Sequence, residues 1–171
     1  AIEYENYSYN SIKTILEKDL AVARTLSNAV QIHKDLPENK WKELFAKMYE
    51  QTLTNNPDIL SIWDSWELNY IDPKYKKDYG RYECFYWREN GQIKHSTDIG
   101  SADGDPADYA RIKREKTESI EDPYFYSYTK DNRNQFLMTS IIVSNLVDGK
   151  FVGVIGLDIE LTRYYDDIKR I

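Results

Sequence analysis

Hydrophobic residues recur at three- and four-residue steps through the first part of the chain. Their positions are Ile12, Ile15, Val22, Leu26 and Ala29, with Leu16, Leu20, Ala23 and Val30 beside them. This period predicts one long helix over residues 7–34. Because the apolar face is wide, the helix can pack along its own sheet, and a homodimer through the same helix remains a second possibility.

A second helix is predicted after a break at Asp35–Glu38. Pro37 suits a first helical turn, with Asp35 as its cap. The helix continues to about Thr54, and Asn56 followed by Pro57 ends it.

From Ile59 onward the hydrophobic period changes to two, which is typical of β-strands. Trp66 and Asp64 fall on the more apolar face of the first strand, and Trp63 and Glu67 fall on the other face. Asn90-Gly91 and Asp148-Gly149 are hairpin turn signals. The predicted strands are 59–68, with its pattern continuing to Tyr70, then 81–88, 92–96, 135–146 and 151–159.

The middle of the chain departs from the strand pattern. Residues 98–108 form the longest irregular stretch, and a short helix is predicted over 106–116. Residues 124–128 are predicted to be extended, and a final helix over 160–171. Helices at the ends and in the middle of an antiparallel meander predict an α+β fold.

Composition and charge exclude several functions. The 171 residues contain 23 Lys and Arg against 29 Asp and Glu, a net charge of −6 that argues against nucleic-acid binding. One Cys and two His exclude a disulfide scaffold and a zinc site built from these residues alone. No apolar run approaches the ~20 residues of a membrane span. The 15 Tyr suit a pocket wall that offers both apolar area and hydroxyls.

Motifs for catalysis are absent from the sequence. There is no glycine-rich phosphate loop or nucleophile elbow, and nothing specifies a triad around His95. Asp103-Gly104-Asp105 resembles part of a calcium loop, but Arg114 stands where the closing Glu belongs. Asp64 and Glu67 fall on opposite strand faces, which disfavours a hydrolase carboxylate pair. We therefore predict a segment without enzymatic activity, cofactor or metal.

Asp158 lies in an otherwise apolar strand and shares one face with Val154 and Gly156. A carboxylate on the inner face of a sheet is costly unless it has a partner, and Gly156 leaves space beside it. Asp158 either caps the final helix or pairs with an Arg, or it meets the donor or cation of a ligand.

The run from Gly149 to Leu161 resembles the closing hairpin of Cache domains, the extracytoplasmic PAS-like sensor domains of bacterial and archaeal receptors. Further resemblances follow in the expected order, at Gly80-Arg81-Tyr82, Asn90-Gly91, Asp108-Tyr109, Glu121-Asp122-Pro123-Tyr124 and Met138-Thr139-Ser140. The resemblance implies a long N-terminal helix over 1–36, packed along a PAS-like antiparallel sheet within 37–171. Residues 161–171 would begin a truncated C-terminal helix. The chain is most similar to the membrane-distal half of a double Cache module.

The resemblance also implies a ligand site between the sheet and the insert 98–128. In amino-acid-binding members an Arg, a Trp and a Tyr open the insert helix; the Arg holds the ligand carboxylate and a strand Asp holds the ammonium. This chain keeps Tyr109, Tyr124 and Asp158, but Pro106 replaces the Arg and Asp108 replaces the Trp. The carboxylate clamp is therefore missing. Either Arg111 substitutes for it, or the pocket prefers a neutral or cationic molecule such as an amine.

The predicted function is an extracytoplasmic ligand-sensing domain of a transmembrane receptor of the histidine kinase or methyl-accepting chemotaxis type. We expect membrane spans to flank the segment, before Ala1 and beyond Ile171. The alternative is a degenerate Cache domain that only spaces or dimerises a receptor. The predicted ligand-binding residues are Tyr109, Tyr124, Asp158, Asp108 and Tyr126, with Trp63 or Trp66 as a wall.

Overall fold

The computed structural model describes residues 2–128 and 135–162; within the first helix it describes side chains at residue 10 and from residue 13 onward. The described helices are α1 (Ile2–Ala29), a 3-10 helix (Val30–Asp35), α2 (Glu38–Asn55), α3 (Leu68–Ile71) and α4 (Ala107–Glu115). The strands are β1 (Ile59–Glu67), β2 (Arg81–Glu89), β3 (Gln92–Gly100), β4 (Ser119–Ile120), β5 (Tyr124–Tyr126), β6 (Phe136–Val147) and β7 (Lys150–Glu160).

The strands form one antiparallel sheet in the order β3-β2-β1-β7-β6-β4, with β5 also paired to β6. Strands β1 and β7, which begin and end this meander in sequence, are neighbours at the centre. Both are buried along nearly their whole length. The prediction of an α+β fold with an antiparallel sheet is confirmed.

The two faces of the sheet carry different layers. Helices α1 and α2 cover one face, and the main hydrophobic core lies between them and the sheet. Helix α4 covers part of the other face and encloses a smaller cluster. The smaller cluster contains Tyr109, Ile112, Ile142 and Val154. Each central strand must therefore place apolar residues on both faces.

The long first helix is confirmed, but it changes form near its end. The α-helical part ends at Ala29, and residues Val30–Asp35 form a tighter 3-10 helix, which is common at helix termini. The buried His33 ring stabilises this turn: its Nδ1 lies 2.7 Å from the Val30 carbonyl oxygen, and its Nε2 lies 2.7 Å from the Tyr70 hydroxyl. The division of the chain at residue 36 stays a prediction.

The strand pattern predicted to continue to Tyr70 is wrong beyond Glu67. The chain leaves the sheet there and forms α3 over Leu68–Ile71. The amide of Leu68 donates to the Gly80 carbonyl at 3.0 Å, and Tyr70 is drawn toward His33. These long-range contacts override the local alternation.

Two further boundaries differ from the sequence predictions. Strand β3 continues to Gly100 because it pairs with β2 along its full length, so the irregular loop is shorter than predicted. The predicted C-terminal helix over 160–171 falls almost entirely outside the described residues. Over the part of the chain that the structure describes, no helix is long and apolar enough to cross a membrane.

Asp64 is a buried acid under helix α2. Only 3% of its surface is exposed, and the Tyr49 hydroxyl donates to its Oδ2 at 2.7 Å. No described residue donates a hydrogen bond to its Oδ1. Burial raises the pKa of Asp64 from 3.8 to about 6, against the opposing effect of the Tyr49 hydrogen bond.

The raised pKa of Asp64 predicts a pH-dependent stability. Between about pH 4 and pH 6 the folded protein keeps a proton that the unfolded chain has released, so the unfolding free energy falls as the pH rises. The loss amounts to roughly 3 kcal/mol and is complete above pH 6. From pH 4 to pH 7, the stability of Asp64→Asn relative to the wild type should therefore rise by up to this amount in urea denaturation.

The exposed Asp148 of the β6–β7 turn provides the control. Asp148→Asn should show no such change between pH 4 and pH 7. If the stability of Asp64→Asn depends on pH as the wild type does, Asp64 does not titrate in this window.

Candidate functional site

Two adjoining cavities lie on the sheet face that α4 covers. The larger has a volume of about 550 Å³ and the smaller about 170 Å³. The larger cavity is lined by Trp63, Arg81, Pro106, Asp108, Tyr109, Ile112, Glu121, Asp122, Pro123, Tyr124, Ser140, Ile142 and Val154. The smaller is lined by Trp63, Arg81, Glu83, Phe85, Tyr124, Tyr126, Tyr128, Met138 and Asp158. Trp63, Arg81 and Tyr124 line both cavities.

Asp158 is a buried carboxylate at the smaller cavity, with 2% of its surface exposed. Its Oδ1 accepts hydrogen bonds from Trp63 Nε1 at 3.0 Å and from Ser140 Oγ at 2.6 Å. Its Oδ2 accepts from the hydroxyls of Ser61 and Tyr128. All four donors are neutral, and no described Lys, Arg or His forms an ion pair with Asp158.

Strand register explains this arrangement. Ser61 on β1 and Ser140 on β6 lie directly opposite Asp158 on β7, so three neighbouring strands bring one acid and two hydroxyls together. Trp63 lies opposite Gly156. A Cβ added at Gly156 would lie 2.3 Å from the Trp63 ring, so only glycine lets the indole lie flat enough to reach Asp158.

Tyr109 forms a wall of the larger cavity with its ring, because its hydroxyl is already engaged. The hydroxyl donates to Glu67 Oε1 at 2.7 Å. Burial and the negative charge of Glu67 raise the pKa of Tyr109. The Arg81 guanidinium stacks 4.0 Å from the ring centroid, and the Phe151 ring packs edge-on.

Glu67 fastens α4 to the sheet. It is 2% exposed, and its Oε2 lies 2.6 Å from Lys113 Nζ. Lys113 also pairs with Asp105 at 3.1 Å. Since Tyr109 and Lys113 are both on α4, the helix is held to the end of β1 by one hydroxyl and one ammonium. The charge of Glu67 is therefore balanced by Lys113, and the role of this acid is structural.

Two other tyrosines surround the smaller cavity. The Tyr124 hydroxyl lies 2.6 Å from Ser140 Oγ, and the Tyr128 hydroxyl donates to Asp158. Burial, followed by the charge of Asp158, raises the pKa of both phenols. Both therefore stay protonated at neutral pH and act as neutral hydrogen-bonding groups.

Among the described residues that line the cavities, Arg81 is the cation, and sequence reasoning did not assign it there. Its Nη2 lies 2.9 Å from Glu83 Oε1. Gly100 makes room for this pair, because an added Cβ would lie 2.5 Å from Glu83 Oε2. In the sequence Arg81 is only the first residue of a strand, and its place depends on the pairing of β2 with β1.

The structure places most of the predicted site residues at the two cavities. Tyr109, Tyr124, Asp108 and Trp63 line the larger one, and Tyr126 and Asp158 line the smaller one. Asp108 lies exposed in the first turn of α4.

Trp66 does not belong to the site, which corrects that part of the prediction. It is fully buried on the opposite sheet face, packed among Trp41, Phe45 and His33. Successive strand residues alternate between faces, and Trp66 is three residues from Trp63.

Arg111 does not stand in the place of the missing clamp. It lines neither cavity, and its guanidinium lies 3.4 Å from Glu121 and 3.7 Å from Glu115. The sequence also missed Ser61, Ser140 and Tyr128, the three hydroxyl donors to Asp158. Their contact with Asp158 becomes visible only in the structure, where Ser61 and Ser140 lie on the neighbouring strands and Tyr128 lies beyond β5.

The Glu67 contacts predict a local effect on α4. Glu67→Ala leaves the Tyr109 hydroxyl buried without its acceptor and removes one partner of Lys113. We expect a loss of about 2–4 kcal/mol in unfolding free energy. Amides of α4 should also exchange with solvent faster, while those of β1 and β7 follow global stability.

The surface pair Arg24–Glu118 supplies a matched control, because its side chains are largely exposed. Glu118→Ala removes the same carboxylate at the surface and should change stability little. Equal effects of the two substitutions would show that Glu67 does not hold α4.

Comparison with known proteins identifies the fold. No protein-family model matches the chain. The methyl-accepting chemotaxis protein TlpQ of Pseudomonas aeruginosa is 29% identical over 143 residues, covering 71% of this chain and 20% of that protein. The chain thus spans a fifth of the length of this relative.

Solved structures of sensor domains superpose on nearly the whole of this chain. The extracellular domain of mmHK1S-Z3, a candidate histidine kinase, matches with a TM-score of 0.70 and 23% identity, covering 95% of this chain and 57% of that one. The ligand-binding domain of the Campylobacter jejuni chemoreceptor Tlp3, in complex with L-valine, matches with a TM-score of 0.66 and 11% identity, covering 97% and 60%. The chain therefore has the fold of the extracellular and periplasmic sensor domains of histidine kinases and chemoreceptors, as the Cache resemblance predicted.

Proposed function

We propose that this chain is an extracytoplasmic ligand-sensing domain of a transmembrane receptor, and that its ligand is a small organic cation. The observation that carries the proposal is the environment of Asp158. This buried carboxylate lies beside a cavity, and the described residues give it only neutral hydrogen-bond donors. A buried charge without a counter-ion is costly. A cationic ligand would supply the missing charge.

The charges around the cavities also favour a cation. Five carboxylates line them, against one described Arg or Lys, Arg81. The lining acids are Asp108, Glu121, Asp122, Glu83 and Asp158. Glu83 pairs with Arg81, and Glu121 pairs with Arg111. The remaining three acids give the site a negative potential, which attracts cations and disfavours anions.

The aromatic walls suit the same ligand. Trp63, Tyr109 and Tyr124 line the larger cavity, and Tyr126 and Tyr128 line the smaller one. Aromatic faces attract ammonium groups and also cover the apolar part of an alkyl amine.

A ligand carboxylate finds little support in the site. Pro106 lines the larger cavity at the position of the missing clamp, and Arg111 is directed to glutamates. Arg81 remains, but Glu83 already occupies part of its guanidinium. An amine is therefore favoured over a standard α-amino acid.

The role in a receptor is supported by the fold and by the similarity to a chemotaxis protein. We propose that the complete protein places this domain outside the cytoplasm and couples it across the membrane to a signalling domain. The open cavities favour sensing over the alternative of a spacer domain. A dimer through α1 remains a prediction.

A set of four-carbon and five-carbon probes tests the ligand class by titration calorimetry. We expect n-butylamine to bind more tightly than 1-butanol, norvaline or butanoate, because only its charge complements Asp158 without requiring a clamp. Asp158→Asn keeps the side-chain volume and should weaken n-butylamine binding by about 10- to 150-fold, the equivalent of a charge-assisted hydrogen bond.

Asp148→Asn is the control, since it makes the same chemical change at a turn that lines neither cavity. It should leave binding unchanged. Preferential binding of butanoate, or equal n-butylamine affinity of Asp158→Asn and the wild type, would contradict the proposal. Absence of binding by any small molecule would favour the spacer alternative.

A further inference from the structure

The hydrogen-bonding capacity of Asp158 is already full. A carboxylate offers about four lone-pair sites, and four donors occupy them: two at Oδ1 and two at Oδ2. A ligand ammonium can therefore reach Asp158 directly only if one of these donors gives up its place.

Three of the four donors are fixed by the sheet. Ser61 and Ser140 are buried and lie opposite Asp158 in the strand pairing, so the backbone keeps both side chains beside the carboxylate. Trp63 is held against Gly156, where the ring and the backbone are in close contact. Displacing Trp63 would require repacking of the wall, and a serine hydroxyl that rotated away would remain buried within the sheet.

Tyr128 differs from the other three donors. It lies beyond the end of β5, outside the central strands, and lines the smaller cavity. Its ring stacks on Trp87, with centroids 5.5 Å apart and an angle of 11° between the planes. Because Tyr128 lies outside the paired strands, its hydroxyl can leave Asp158 through movement of one side chain, while the sheet stays unchanged.

We propose that the Tyr128 hydroxyl is a replaceable cap on Asp158, which a ligand ammonium must displace, and that Tyr128 thereby sets the affinity of the site. This inference rests on the proposed function. In the free domain the phenol stabilises the buried carboxylate as a neutral substitute for the ligand. In the complex the ammonium donates to Oδ2 in its place. The exchange makes no covalent bond and moves no proton.

If Tyr128 caps Asp158, its removal should have an effect that is unusual for a residue in contact with the ligand-binding carboxylate. Removing a ligand contact normally weakens binding, but removing a competing donor strengthens it. Tyr128→Phe keeps the ring on Trp87 and opens one lone-pair site of Oδ2 toward the cavity. Calorimetry with n-butylamine should show at least about tenfold tighter binding than to the wild type, the lower end of the range for a hydrogen bond to a charged group.

Ser61→Ala is the matched control, because it removes a donor from the same oxygen. Ser61 is fully buried and lines neither cavity, so the vacancy is not open to a ligand. Affinity should therefore not rise. In an Asp158→Asn background, Tyr128→Phe should give no gain. If Tyr128→Phe fails to fold, as judged by circular dichroism, Tyr128→Leu makes the same test.

The outcomes separate the two proposals. If n-butylamine binds the wild type and Asp158→Asn weakens it, but Tyr128→Phe binds equally or less tightly, the cap is wrong and the proposed function stands. An equal gain in Ser61→Ala also overturns the cap, because the effect then comes from the loss of any donor to Asp158 and not from the site that Tyr128 covers. No binding to any variant overturns both.

Discussion

The burial of the Asp158 carboxylate is the constraint on which the arrangement of this site depends. Removing a charge from water is costly, and the sheet compensates with neutral donors from β1 and β6, and with Tyr128 beyond β5. Neutral donors stabilise a carboxylate without cancelling its charge. The domain therefore keeps a negative charge at the wall of a cavity, where a cation from outside can complement it.

Two buried acids on the same sheet face illustrate how partners determine a role. Glu67 receives the Lys113 ammonium and the Tyr109 hydroxyl, both from α4, so its charge is used within the fold to fix the helix that covers the cavity. Asp158 receives no ammonium from the described residues. The first acid builds the site, and the second remains available to a ligand. Asp64, on the opposite face, has neither role and lies under α2 with Tyr49.

The sequence predicted which strand residues share a face, because this depends on the local alternation of hydrophobic and polar residues. The alternation in β7 correctly placed Val154, Gly156 and Asp158 on one face, and the alternation in β1 separated Trp63 from Trp66. Strand pairing beyond the two predicted hairpins was out of reach. Arg81 reaches the cavity because β2 pairs with β1, and Ser61 reaches Asp158 because β1 pairs with β7. Within the β6–β7 hairpin, the exact register that places Ser140 opposite Asp158 was not predicted. Tyr128 was missed because it lies outside the strands, where no periodic pattern predicts the direction of a side chain. The turn into α3 was missed because its causes, Gly80 and His33, are distant in sequence.

The most direct test of the charge complementarity is a crystal structure of the domain with the tightest-binding amine. We expect a ligand nitrogen about 2.7–3.0 Å from a carboxylate oxygen of Asp158, with the alkyl part against the Trp63 and Tyr124 rings. A ligand that lies only in the larger cavity, with its nitrogen remote from Asp158 and the four neutral donors unchanged, would contradict the assignment of this carboxylate as the ligand anchor.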